Sequence, residues 1–99
     1  MTMLLRVEQW LTSDDRSTLR RTIAPARWID ADTDTPLELA EWSGGGHIVL
    51  ATASRGSAFV EIGLPNRFAP EDNGHLLREG ESQRWFKFAG KLMVKEYKG

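Results

Sequence analysis

The chain has no cysteine, a single tyrosine and only four prolines among its 99 residues. Without cysteine there are no disulfides, no thiolate catalysis and no cysteine-based metal site, a composition that suits a reducing compartment. Long apolar runs are missing too. The opening MTMLLRVEQW is broken by Arg6 and Glu8, too early for a signal-peptide core or a membrane helix. Net charge is only −1, so nothing global draws the molecule to nucleic acid or to an anionic membrane. A cytoplasmic protein without a membrane segment is the expectation. No HExxH, CxxC or nucleophile-elbow pattern occurs, and Gly44-Gly45-Gly46 leads into strand-like sequence with no following lysine, so it is no phosphate cradle. The absence of these signatures points away from an enzyme and from any cofactor.

What is present is an ordinary globular balance, 40% hydrophobic and 27% charged. A chain of this length makes one domain, residues 1–99, burying roughly 65% of its unfolded surface. The stretch HIVLATASRGSAFVEIGL, from His47 to Leu64, reads as two strands around Ser54-Arg55-Gly56. A three-residue hairpin loop wants glycine last, at positive φ, and Gly56 stands there. That register pairs Ala53 with Ser57. It groups Ile48, Leu50, Val60 and Ile62 on an apolar face and leaves His47, Val49, Phe59 and Glu61 behind. If Ser43 to Gly46 connects a preceding strand, Trp42 pairs with His47, and Leu37 and Leu39 join the apolar face. A three-stranded meander over 37–64 follows.

Met3 to Leu11 reads two ways, since Leu4, Val7 and Leu11 have helical spacing while Met3, Leu5 and Val7 alternate as a strand does, and the strand is preferred. Thr12 or Ser13 is placed to cap a helix running to Ala24, with Asp14 and Asp15 at its start, Arg20 and Arg21 near its end, and Pro25 to stop it. Arg27 to Asp30 reads as a short strand, and Pro65 to Ser82 as a long polar connection. Residues 83–97 form a second hairpin about Ala89-Gly90, with Phe86, Leu92 and Val94 on one side. The fold class expected is α+β: a mostly antiparallel β-sheet, with the central meander 37–64 and the C-terminal hairpin 83–97, covered by one N-terminal helix over 13–24.

Several groupings bear on function. Asp30, Asp32, Asp34 and Glu41 have the spacing of calcium-loop ligands, but Thr35 stands where the loop needs glycine, Pro36 follows, and no helices flank it. A solvated acidic loop that attracts a basic partner is the preferred reading, and no metal is expected. His47 lies close to Glu38 and Glu61 on the mixed face, without a second catalytic group. Trp42 and Phe59 share that face, and large aromatics beside acids are what a protein-binding hot spot uses. The partner-binding set is therefore Asp30, Asp32, Asp34, Glu38, Trp42, His47, Phe59 and Glu61. The tail offers an alternative. Arg84, Lys87, Lys91, Lys95 and Lys98 stand against Glu96 alone and interleave with aromatics. Arg84, Trp85, Lys87, Lys95 and Tyr97 would then stack bases and neutralise phosphates of a nucleic acid.

The order strand, helix, then LELAEWSGGGHIVLATASRGSAFVEIGL resembles the middle of small bacterial immunity proteins that neutralise polymorphic or contact-dependent toxins. The likeness lies in two short strands about a glycine-rich turn followed by an aromatic-acidic one. It covers about a third of the chain and contains no diagnostic motif, and the basic 83–99 hairpin departs from it. It implies a class, a non-catalytic and tight-binding inhibitor of a partner protein such as a toxin, and carries over no individual residue. Oligomeric state is left open.

Overall fold

The structure, a computed structural model, describes residues 3–41, 45–64, 66–86 and 90–98. Trp42, Ser43 and Gly44, and with them the expected Trp42–His47 pairing, lie outside the described residues, as do Lys87, Phe88 and Ala89 of the expected C-terminal hairpin.

The fold is mostly antiparallel β-structure, as expected, but arranged as two sheets around one core. The strands are β1 (Leu4–Thr12), β2 (Leu19–Thr22), β3 (Arg27–Ile29), β4 (Leu37–Glu38), β5 (Gly46–Arg55) and β6 (Ser57–Gly63). After a one-turn helix α1 (Pro70–Asn73) come β7 (His75–Leu77), β8 (Ser82–Trp85) and β9 (Lys91–Tyr97). Sheet A runs β2-β1-β5-β8, with β3 also paired to β1, and sheet B runs β4-β9-β6-β7. Met3, Leu5, Val7, Val49, Ala51 and Ala53 from one sheet meet Ala58, Val60, Ile62, Leu92 and Val94 from the other in one buried cluster. The smallest extent of the molecule, 20 Å, is what two sheets stacked about 10 Å apart require.

The expected N-terminal helix is not formed. Residues 13–18 make a turn instead, and β2 returns along β1. Short polar side chains take over the backbone there, which is why such residues favour turns over helix interiors. The Asp15 carboxylate accepts from the Ser13 hydroxyl at 2.6 Å, from Ser17 N–H at 3.0 Å and from the Ser17 hydroxyl at 2.7 Å. Thr18 N–H donates to Ser13 Oγ at 3.1 Å. Arg16 sits in the left-handed region at φ 60°, which ends any helical run. A helix here would have only Leu19 and Ile23, four apart, as core contacts, too thin a stripe to offset helix nucleation.

These bonds hold the Asp15 carboxyl at about 2, below its usual 3.8, the Ser13 hydroxyl being the largest cause. A depressed acid contributes stability above its unfolded pKa and loses it as pH falls through the folded one. Asp15→Ala should therefore lower the melting temperature at pH 6 and make little difference at pH 2. Equal effects at both pH values would contradict the turn as described.

The 47–64 hairpin is also replaced. β5 and β6 belong to different sheets, and Gly56 between them is a corner at φ +68°, where the strand bends from sheet A into sheet B. A side chain at Gly56 would press on the Met3 backbone, 3.2 Å from its Cα. The face of β5 changes accordingly. Val49, Ala51 and Ala53 point into the core with Ala58, Val60 and Ile62, and the expected Ile48 and Leu50 lie on the other side of sheet A, where Ile48 is nevertheless fully buried and Leu50 half-buried. The alanines nearest the corner let the two sheets approach where they join.

β4 pairs with β9 rather than β5, so the 37–64 meander is not formed. In the same way β8 pairs with β5, and β9 with β6, so the two runs of the expected 83–97 hairpin stand in opposite sheets. Phe86 is accordingly 55% exposed while Leu92 and Val94 are buried. No helix among the described residues is long and apolar enough to cross a membrane.

Candidate functional site

The outer face of sheet B carries most of the chemistry the sequence pointed to. Because Ala58, Val60 and Ile62 face the core, Phe59 and Glu61 face outward, and the register sets Phe59 against Lys95 and Glu61 against Met93. The Phe59 and Tyr97 rings meet edge to face with centroids 5.5 Å apart. Alongside β9 runs the acidic loop, and it is tied down. Thr33 N–H donates to the Val94 carbonyl at 3.1 Å, and Val94 N–H donates to Thr33 Oγ1 at 2.9 Å. The Asp32 carboxylate accepts from Glu96 N–H at 2.6 Å and pairs with the Lys95 ammonium at 3.7 Å. Threonine and aspartate thus act as substitute strand partners for β9 where Pro36 and the turn residues deny a regular ladder.

The other wall is the 66–74 segment. Glu61, though carried by a strand, accepts Ala69 N–H at 2.8 Å and so holds this wall down. Pro70 opens α1 at a position where a missing N–H costs nothing, and Glu71 and Asp72 occupy its first turn. Between the walls lies a groove of about 630 Å3, lined by Asp32, Asp34, Phe68, Glu71, Asp72 and Met93 among others. It continues past Asp32, Glu71 and Lys95 into a second recess of about 500 Å3 bounded by Phe59, Glu96, Tyr97 and Lys98. Five carboxylates (Asp32, Asp34, Glu71, Asp72, Glu96) face three cations (Arg67, Lys95, Lys98) along it, and one of those cations is already paired. The groove is therefore acidic, with an aromatic and thioether floor.

Of the expected partner-binding residues, Asp32, Asp34 and Phe59 are brought together here. Glu61 supports the wall from beneath. Asp30 is exposed just after β3, and Glu38 lies on β4, paired with Lys91 at 3.6 Å. Trp42 is outside the described residues. His47 is not on this face at all. The alternative set is divided as well: Lys95 and Tyr97 line this groove, Arg84 is exposed on sheet A, and Lys87 is outside the described residues. Trp85 packs on the core, where its ring meets His75 edge to face at 6.3 Å. Among the described residues no three of His, Asp and Glu converge as metal ligands, so Asp30, Asp32, Asp34 and Glu41 do not form the calcium-like cage their spacing suggests.

Phe68, Glu71, Asp72 and Met93 had not been singled out as site residues. Only the acidic pair after Pro70 offered a sequence signal, and nothing local brings it to the Asp32 loop.

His47 has a different position. It is 1% exposed, on the inner side of β5. Gln9 grips the backbone of Ala40 with both amide atoms: Nε2 donates to the carbonyl at 2.7 Å, and Oε1 accepts the N–H at 2.9 Å. That double bond fixes the amide's orientation, so the second Nε2 proton points to His47 Nε2, 3.4 Å away. His47 Nε2 is then the acceptor and its proton resides on Nδ1, which has no hydrogen-bond partner. Burial, followed by the charge of Arg16, lowers the His47 pKa below 6.5. His47 thus supports Gln9, and it is Gln9 that anchors the far end of the strap carrying the acidic loop.

Compared with known proteins, the chain matches no family model, no curated protein and no solved structure.

Proposed function

We propose that the chain is a small non-catalytic protein-binding domain of the immunity or antitoxin type, acting in the cytoplasm. It occludes a toxin by seating a basic, apolar-flanked segment of that partner in the groove on the outer face of sheet B. One observation carries this reading: Asp32 and Asp34 line the groove with Phe68, and Asp32 also lines the adjoining recess with Phe59 and Tyr97, exposed carboxylates beside half-buried aromatics. Acidic side chains around the entrance steer a basic partner inward, while desolvated aromatics slow its departure.

Asp34 is the sharper probe of steering, because Asp32 is committed to β9 and its loss would also loosen the loop. With the partner captured from the native cell and purified, Asp34→Lys should lower the association rate constant about tenfold at low salt, with the difference shrinking as salt rises. Phe59→Ala should leave association nearly unchanged and speed dissociation by about tenfold or more. Wild-type rates in both variants would remove the groove from consideration.

A further inference from the structure

We infer that the β2–β3 margin of sheet A, with the outward face beside it, binds single-stranded nucleic acid. Residues 16–29 contain four arginines and neither aspartate nor glutamate. Because β2 and β3 both pair with the same side of β1, they bring Arg20, Arg21, Arg27 and Trp28 to one margin of the sheet, all exposed. Arg21 stands against Leu11 and Arg27 against Val7, so that these two straddle the edge from the side opposite Trp28. The register sets Trp28 against Arg6 and Thr22 against Trp10, on the face turned away from the core. Trp28 is 55% exposed, and the Arg6 guanidinium lies over its ring, 5.8 Å from the centroid. Four residues along β1 separate the Trp28 and Trp10 rows, a spacing of about 13 Å.

The charge on this margin is free to meet an anion. Glu8, between the two rows, is ion-paired with Arg6 at 3.2 Å, and its Oε1 accepts from Trp10 Nε1 at 3.3 Å. Arg20, Arg21 and Arg27 make no ion pair among the described residues. On the opposite sheet, Lys91 and Lys95 are already paired with Glu38 and Asp32. The molecule is thus polarised, acidic along the groove of sheet B and basic along this margin, which its near-zero net charge conceals. Guanidinium groups fork onto phosphates and stack on planar rings, and an exposed tryptophan offers a surface to a base that is not paired. That combination favours a single strand: arginines on the edge follow the phosphates while Trp28 takes a base. A duplex would present phosphates to the arginines but nothing to the indole. The strand site does not overlap the groove and stands independently of the toxin-binding reading.

The test is fluorescence anisotropy of fluorescein-labelled oligo(dT) with the full chain at low salt, repeated across a salt series. Binding should weaken with salt with a log–log slope of about −2, as for three arginine–phosphate contacts at roughly −0.7 each. Trp28→Ala should weaken binding about tenfold, within the range for one stacked base. Arg20→Gln with Arg27→Gln should weaken it and flatten the slope by about 1.4. These side chains are exposed, and circular dichroism of each variant checks that the fold is kept. Lys91→Gln, on the other sheet, should bind as wild type. The inference is overturned by no binding, by binding unchanged in the Trp28 and arginine variants, by equal or tighter binding of the corresponding duplex, or by preference for a labelled polyglutamate peptide, which would assign the margin to an acidic protein.

Discussion

Truncating Leu92 to alanine should destabilise the protein by about 2–5 kcal/mol, the cost of a buried cavity. Leu92 is 0% exposed, and its cross-strand partners are Leu37 on β4 and Ile62 on β6. It therefore sits where both neighbours of β9 contribute to the core, and its loss leaves a hole that neither sheet can close without moving. For a domain of this size such a loss lowers Tm by at least about 10 °C. Phe86→Ala should cost under about 1 kcal/mol, as exposed substitutions do. A C-terminal hairpin would put both side chains on one face, so the contrast separates the two arrangements. Comparable losses in urea denaturation would count against the strand partners assigned to β9.

Replacing Gln9 by alanine should cost about 2–3 kcal/mol, because it leaves the Ala40 backbone and His47 Nε2 without their partners at an end of the core. The same network makes stability depend on pH. The folded state resists protonating His47, since a proton on Nε2 would face the Gln9 amide protons and add a buried positive charge near Arg16. The unfolded chain takes that proton near 6.5. Stability is thus complete above about pH 6.5 and declines as pH falls below it, until the lowered folded pKa is passed. This window is separate from that of Asp15, which opens only below 3.8. Denaturation midpoints should fall between pH 7 and pH 5 in the wild type. In His47→Leu, less stable throughout, that part of the slope should be gone. A slope retained in the variant would assign the effect to other groups.

The strand β1 could be read from Met3, Leu5 and Val7 alternating, and the special role of Gly56 from the need for a positive φ. What Gly56 does could not be read. The same left-handed glycine closes a hairpin loop or turns a strand through a corner, and the choice depends on which strands lie beside β5 and β6. Those are β1 and β8 for one and β7 and β9 for the other, remote in sequence. The face assignment of β5 failed with it, since Ile48 and Leu50 look better suited to meet a second sheet than Ala51 and Ala53 do, although Ile48 is buried as expected. Helix signals over 13–24 were true of each residue taken singly, yet Ser13, Asp15 and Ser17 satisfy one another in a turn. In the groove, Asp32, Asp34 and Phe59 could be proposed from acidity and aromaticity. Glu61 looked equally eligible and proved to be a strut, because its partner, Ala69 N–H, belongs to a connection with no periodic pattern. The lysines of 91–98 gave no hint in sequence that two of them, Lys91 and Lys95, meet acids from remote segments, Glu38 on β4 and Asp32 in the acidic loop.

The groove exists only if β5 and β6 lie in different sheets. Cross-strand NOEs in an isotope-labelled sample measure this directly. Contacts between Phe59 and Lys95 and between Leu50 and Arg84, with none between Leu50 and Val60, are expected from the two-sheet arrangement. A Leu50–Val60 contact would restore the hairpin and dissolve the groove.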